Sequence, residues 1–177
     1  MNSNSGQLGA WLQIPLEKAQ LRKFIISHLN RIYSAKLHLT NRLPMLLKHV
    51  QFSVLESAIV ETVEDVEKQL ARMELIYALM DRKISKKPIK GLSGLIEDAF
   101  YSIEKLADQD ELCDLSIIFY LQNIKSVEMS SFQILQMAAA KLSDKQVVKL
   151  LNENYQEAKA DRILFLQIST KYVVSAD

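Results

Sequence analysis

The sequence predicts an all-α fold, a four-helix bundle whose middle connection crosses the bundle and carries a short fifth helix. Three observations lead there. Four Gly and three Pro among 177 residues are about 4% of the chain, against roughly 12% in an average one, too few for a turn-rich all-β fold. Apolar residues recur at 3-and-4 spacing through four long stretches, the rhythm of helices that bury one face. The length matches the roughly 100 to 200 residues expected of a single domain.

Taken in order, residues 1–15 are rich in Ser, Asn and Gly around a lone Trp11 and Leu12, which predicts a flexible N-terminal arm ahead of a bundle over 16–177. The first helix is expected over 16–50, with Leu21, Ile25, Leu29, Ile32, Leu39, Leu43, Leu46 and Val50 on its apolar face. Pro44 should kink or loosen it, because proline lacks a backbone donor and crowds the preceding turn. The second helix, 53–80, repeats the rhythm through Leu55, Ile59, Val63, Val66, Leu70, Met73 and Tyr77. Ser53 with Glu56 three residues on predicts a capping box at its start. The stretch 81–90, DRKISKKPIK, reads as a solvated basic loop without the glycine-rich cradle of a phosphate site. A shorter helix is expected over 92–107, followed by long ones over 109–142 and from Ser143 or Asp144 to Val174, with Ser143 as the expected cap of the last. Two long helices, a short one and two more long ones require a crossover.

Composition excludes several function classes. Twenty-two Lys and Arg against twenty-one Asp and Glu leave a net charge of +1, which supplies no whole-chain field for nucleic acid or an anionic membrane. No apolar run reaches the roughly 18 residues of a membrane span, and the first residues do not read as a secretion signal. The single Cys113 can form neither an internal disulfide nor a thiolate metal cluster, and it has no base beside it to make a nucleophile. A cytoplasmic protein is the expectation. No Ser/His/Asp or Cys/His constellation points to a hydrolase.

The informative feature is charge inside the apolar stripes. Lys36 stands in the series Ile25, Leu29, Ile32, Lys36, Leu39, Leu43, and the fourth long run reads Ile118, Leu121, Lys125, Glu128, Phe132, Leu135, Ala139. Lys36, Lys125 and Glu128 should therefore point inward. Glu64 and Glu67 lie beside the seam of the second helix, and Glu153 and Glu157 share a stripe with Leu150 and Leu164 in the fifth. A buried unpaired charge costs several kcal/mol, so inward Lys and Glu side chains from different helices should meet.

IYSAKLHL at 32–39, VEDVEKQLARME at 63–74, GLIEDA at 94–99 and VVKLLNENYQEAKADRIL at 147–164 resemble, in order, segments of the ferritin-like YciE/YciF family, and the likeness runs over about residues 18–172. The resemblance implies a ferritin-like four-helix bundle, a bacterial stress context, a homodimer and, in some members, a di-metal centre. Carried onto this chain, that centre is damaged: Lys36 stands where the first helix should offer glutamate, and Lys125 stands at the glutamate position of the fourth helix, one turn before Glu128. Glu64 and Glu67 match the second-helix carboxylates, and Glu153 and Gln156, with Glu157 alongside, match the fifth-helix pair. His28, His38 and His49 match no ligand position. A protonated ammonium has no lone pair and cannot ligate a divalent cation. Two glutamate-to-lysine exchanges also supply the charge of two divalent metals. The expectation is a non-catalytic helical protein, without cofactor, in which a buried ion-pair network occupies a vestigial metal site. The alternative is an iron- or manganese-binding protein or oxidoreductase that uses the surviving glutamates.

Overall fold

A computed structural model describes residues 16–85 and 90–174, without the Lys90 side chain; the expected arm over 1–15 and part of the basic loop lie outside them. Helix α1 spans Lys18–Arg42, a 3₁₀ helix Leu43–His49, α2 Ser53–Leu79, α3 Lys90–Glu104, α4 Asp110–Ala140 and α5 Lys145–Val174. Strands are absent among the described residues, and no helix there is long and apolar enough to cross a membrane.

Helix α1 ends earlier than the pattern suggests. Pro44 removes a donor and crowds the carbonyl four residues back, so the chain tightens into the 3₁₀ helix. Leu43 and Leu46 stay buried there, which is why the apolar rhythm continues past the break. The capping box expected at Ser53 is absent, because Ser53 is already helical and Phe52 is the cap residue. The free donors at this end are met from α4 instead. The Asp114 carboxylate accepts the backbone N–H of Phe52 at 2.9 Å and of Gln51 at 3.1 Å, and the Tyr172 hydroxyl donates to it at 3.4 Å. Ser143 is likewise not the cap of α5: it sits in the left-handed turn region at φ 61, and Asp144 Oδ1 accepts the Val147 N–H at 3.2 Å.

The Asp114 contact also fixes the topology. It places the start of α4 beside the start of α2, so α1 and α5 run one way and α2 and α4 the other. The connection from α2 must therefore climb the length of the bundle, and α3 makes that climb packed against α1 and α4. Arg42 holds α3 from α1, with its guanidinium 4.8 Å from the Phe100 ring centroid and 3.7 Å from both Glu97 and Glu104. His38 contacts Glu97 beside it.

The interior forms two apolar compartments. One gathers Leu39, Leu43, Leu55, Ile59, Ile117, Leu121 and Phe165, the other Leu21, Ile25, Leu29, Met73, Ile76, Phe132 and Leu151. Between them, at mid-bundle, lies a layer of polar and charged side chains.

Candidate functional site

Five side chains from all four long helices build this layer. Lys36 of α1, Gln69 of α2 and Lys125 of α4 are fully buried, while Glu128 of α4 and Asp161 of α5 are 4% and 5% exposed. They form a chain. The Lys36 ammonium donates to Gln69 Oε1 and lies 2.8 Å from Glu128 Oε2. The same Glu128 oxygen is 3.5 Å from Lys125 Nζ, which lies 2.8 Å from Asp161 Oδ2. Lys36 Nζ also sits 5.5 Å from the centroid of the Phe132 ring, whose face attracts a cation. The carboxylate contacts are close but poorly angled as hydrogen bonds, and Gln69 Nε2 has no partner among the described residues. Charge attraction rather than directional bonding holds the layer together.

Two ammonium ions against two carboxylates make the layer neutral. At 2.8 Å a pair attracts by roughly 6 kcal/mol at an effective dielectric constant of 20, similar to the several kcal/mol of desolvation that each ion carries. The intact layer is therefore close to energetic balance, whereas removing one member strands its neighbour. Burial pulls the Lys36 ammonium down to about 8, and attraction to Glu128 only partly offsets it. Burial also opposes charge on Lys125, but the Glu128 and Asp161 carboxylates outweigh it and hold the ammonium above its ordinary range. Burial opposes charge on Glu128 in the same way, yet Lys36 and Lys125 together pull its carboxyl below the usual range. At Asp161 burial wins over Lys125 and the carboxyl rises. Lys125 and Glu128 are thus the firmly charged centre, and Lys36 is the member closest to losing its proton.

Of the site residues expected from the sequence, Lys36, Lys125 and Glu128 come together. The others do not join them. Glu64 and Glu67 are exposed, because α2 turns Thr62, Val66, Gln69 and Met73 inward. Gln156 is exposed and donates to Asn152 Oδ1 at 3.4 Å. Glu157 forms a two-pronged pair with Arg72 at 2.5 and 2.6 Å, and Glu153 lies 3.3 Å from the same guanidinium. These half-exposed groups clasp α2 to α5 at the rim. Asn154 backs the interior layer, donating to the Gln69 carbonyl at 3.4 Å and accepting from Arg72 at 3.3 Å.

Gln69, Asn154 and Asp161 were the missing partners, and their signal lay in the spacing. Val147, Leu151, Asn154, Ala158, Asp161, Phe165 and Ile168 alternate by 4 and 3, and Gln69 holds the same place in Thr62, Val66, Gln69, Met73, Ile76. A di-metal centre does not fit this donor set. Two ammonium groups occupy its interior and offer no lone pairs, and both carboxylates are already neutralised. Among the described residues no three His, Cys, Asp or Glu side chains converge as a metal-holding group. His28 packs at a tilt against Phe24, with ring centroids 4.4 Å apart, and contributes nothing to the layer. Cys113 is buried in apolar surroundings that push its thiol up, away from nucleophilic use.

A family profile described as a domain of unknown function, DUF892, matches residues 20–175. The E. coli stress protein YciF superposes with a TM-score of 0.81 at 25% identity, over 86% of this chain and 96% of that one. YcfI of Rhodopseudomonas palustris gives 0.76 at 21% identity, over 87% and 96%. A protein of Xanthomonas campestris gives 0.68 at 16%, over 88% and 95%. No curated protein sequence matches the chain.

The interior layer makes stability depend on pH in an unusual direction. Lys36 falls from 10.5 to about 8 on folding, so between those values the unfolded chain binds the extra proton, and stability from this group rises with pH. The penalty of burying the ammonium is present below pH 8 and relieved above it. Urea unfolding of wild type and Lys36→Met should show the difference between them shifting by about 2 kcal/mol in favour of wild type from about pH 7 to 9.5. A pH-independent difference would show that Lys36 does not titrate there.

Proposed function

The chain belongs to the DUF892 family, and from that premise we propose that it is a non-catalytic helical-bundle protein whose core is completed by lysines rather than metal. The observation that carries this reading is the pair of buried ammonium groups of Lys36 and Lys125 flanking Glu128 in the bundle centre. In the ferritin-like design that position receives inward carboxylates and two metal ions. Here the lysine charges do the neutralising, so the layer is a degenerate metal site kept as a structural element. With the interior sealed and its thiol inert, what the bundle has to offer is its surface, and its role is structural or interactive. The likeness to the E. coli stress protein supports a stress-related setting, and the single buried thiol suits a cytoplasmic one.

The second reading, iron or manganese held by surviving glutamates, has less support. Glu64 and Glu67 face solvent, and Glu153 and Glu157 are engaged by Arg72. Protein produced in medium supplemented with iron and manganese should carry well under one metal per chain by elemental analysis. Stoichiometric metal that the Lys36→Ala or Lys125→Ala exchange does not increase would overturn the lysine-filled reading.

A homodimer is part of the same proposal. Of the residues whose off-stripe placement suggests a second buried surface, Leu37 and Leu75 are exposed, Ile26 and Leu47 are half-buried, and Ile76 belongs to the core. The structure adds a further candidate on α4. Leu112, Phe119, Ile134 and Met137 are exposed and share one outward face of α4 by helical period. These two apolar pairs, separated by the exposed Asn123 and Ser130, are suited to contact with a second copy of the chain. Light scattering at micromolar concentration should give the dimer mass, and Phe119→Glu should shift it toward monomer; a wild-type monomer would contradict the proposal.

A further inference from the structure

A second feature lies outside the interior layer and is independent of the reading above. Between the first turns of α1 and the turn that follows α2 runs a groove of about 530 Å³. Arg22 and Lys23 enter it from α1 and Arg82 from the turn, and no carboxylate is among its lining residues. None of these three cations forms an ion pair or side-chain hydrogen bond within the described residues. Other cations are engaged: Arg42 by Glu97 and Glu104, Arg72 by Glu153 and Glu157.

The groove is held in shape by the fold. Asp81 adopts the left-handed turn conformation at φ 52, and the Arg82 N–H returns to the Tyr77 carbonyl at 2.9 Å, which carries the Arg82 side chain back toward α1. Asn30, also in the lining, accepts the Tyr77 hydroxyl at 2.6 Å and the Ser85 N–H at 3.4 Å through its amide oxygen. Its NH₂ group is then the donor left for the groove, beside the Ser27 hydroxyl. Ile26 adds an apolar surface. Three positive charges converging without counter-ions repel one another, and a bound anion would relieve that repulsion. Guanidinium forks match phosphate oxygens in pairs, and a lysine adds a point charge.

We propose that Arg22, Lys23 and Arg82 form a binding site for a small soluble phosphorylated molecule, with its phosphates on the three cations and its organic body against Ile26. The volume falls within the roughly 300 to 1,000 Å³ of small-molecule sites, and nucleoside triphosphate is the size class that suits it.

Titration of the ¹⁵N-labelled protein with ATP, followed by NMR, should give saturable shifts at Arg22, Ser27 and Arg82, with a dissociation constant of about 0.1 to 1 mM. Inorganic pyrophosphate should compete for the same residues but bind more weakly, since it lacks the part that meets Ile26. Arg22→Ala with Arg82→Ala should weaken ATP by about tenfold or more, while Lys105→Ala, on a distant helix end, should leave it unchanged. Both changes are at the surface, so the fold can be verified from the remaining spectrum. Absence of saturation by about 10 mM ATP, shifts reproduced by sodium chloride at equal ionic strength, or full affinity in the double variant would overturn the site. Binding to phosphatidylglycerol vesicles without any response to ATP would overturn the assignment to a soluble ligand.

Discussion

Four charges placed in the middle of a hydrophobic core must cancel one another, and this constraint organises the bundle. The apolar compartments on either side supply most of the burial, but hydrophobic contact is non-directional and tolerates sliding. The chain from Gln69 through Lys36, Glu128 and Lys125 to Asp161 does not tolerate it, because a one-turn shift of any long helix moves that helix's charged or hydrogen-bonding member by about 5.4 Å. Each of the four helices contributes at least one member, so their relative heights are set together. This is a use of buried polarity for register rather than for net stability, since attraction and desolvation are of similar size.

Charge at the periphery acts differently. Arg72 with Glu153 and Glu157, and Arg42 with Glu97 and Glu104, are partly in water, where each pair is worth at most about 1 kcal/mol. They fasten neighbouring helices without deciding their register. The interior layer is neutral, so it contributes nothing to the net charge of +1, which is set by the residues outside it. There it is unevenly distributed, with the groove of Arg22, Lys23 and Arg82 lacking any carboxylate among its lining residues.

Much of this was legible from residue spacing. The long helices follow from their apolar rhythm, and Lys36, Lys125 and Glu128 were visible because each interrupts an otherwise apolar series. Their partners were harder to see. Glu64 and Glu67 drew attention as carboxylates in a motif position, yet the inward face of α2 runs through Gln69, a neutral residue that carries no charge signal. Asp161 lies two turns beyond Glu153 and one turn beyond Glu157, in register with Phe165 and Ile168. The stop at Pro44 was local chemistry, but the cap of α2 was not: Asp114 is about sixty residues away in sequence, and only the crossover brings it there.

The claim that opposite charges sustain each other inside this bundle is tested most directly by a double-mutant cycle on Lys125 and Asp161. Lys125→Met and Asp161→Leu each leave an unbalanced interior charge, whereas the double variant leaves the neutral pair Lys36 and Glu128. Chemical unfolding should show Lys125→Met destabilising by about 3 kcal/mol or more, and the double variant recovering at least about 2 kcal/mol relative to additivity. Additive losses, or a Lys125→Met variant as stable as wild type, would contradict a core held together by paired charge.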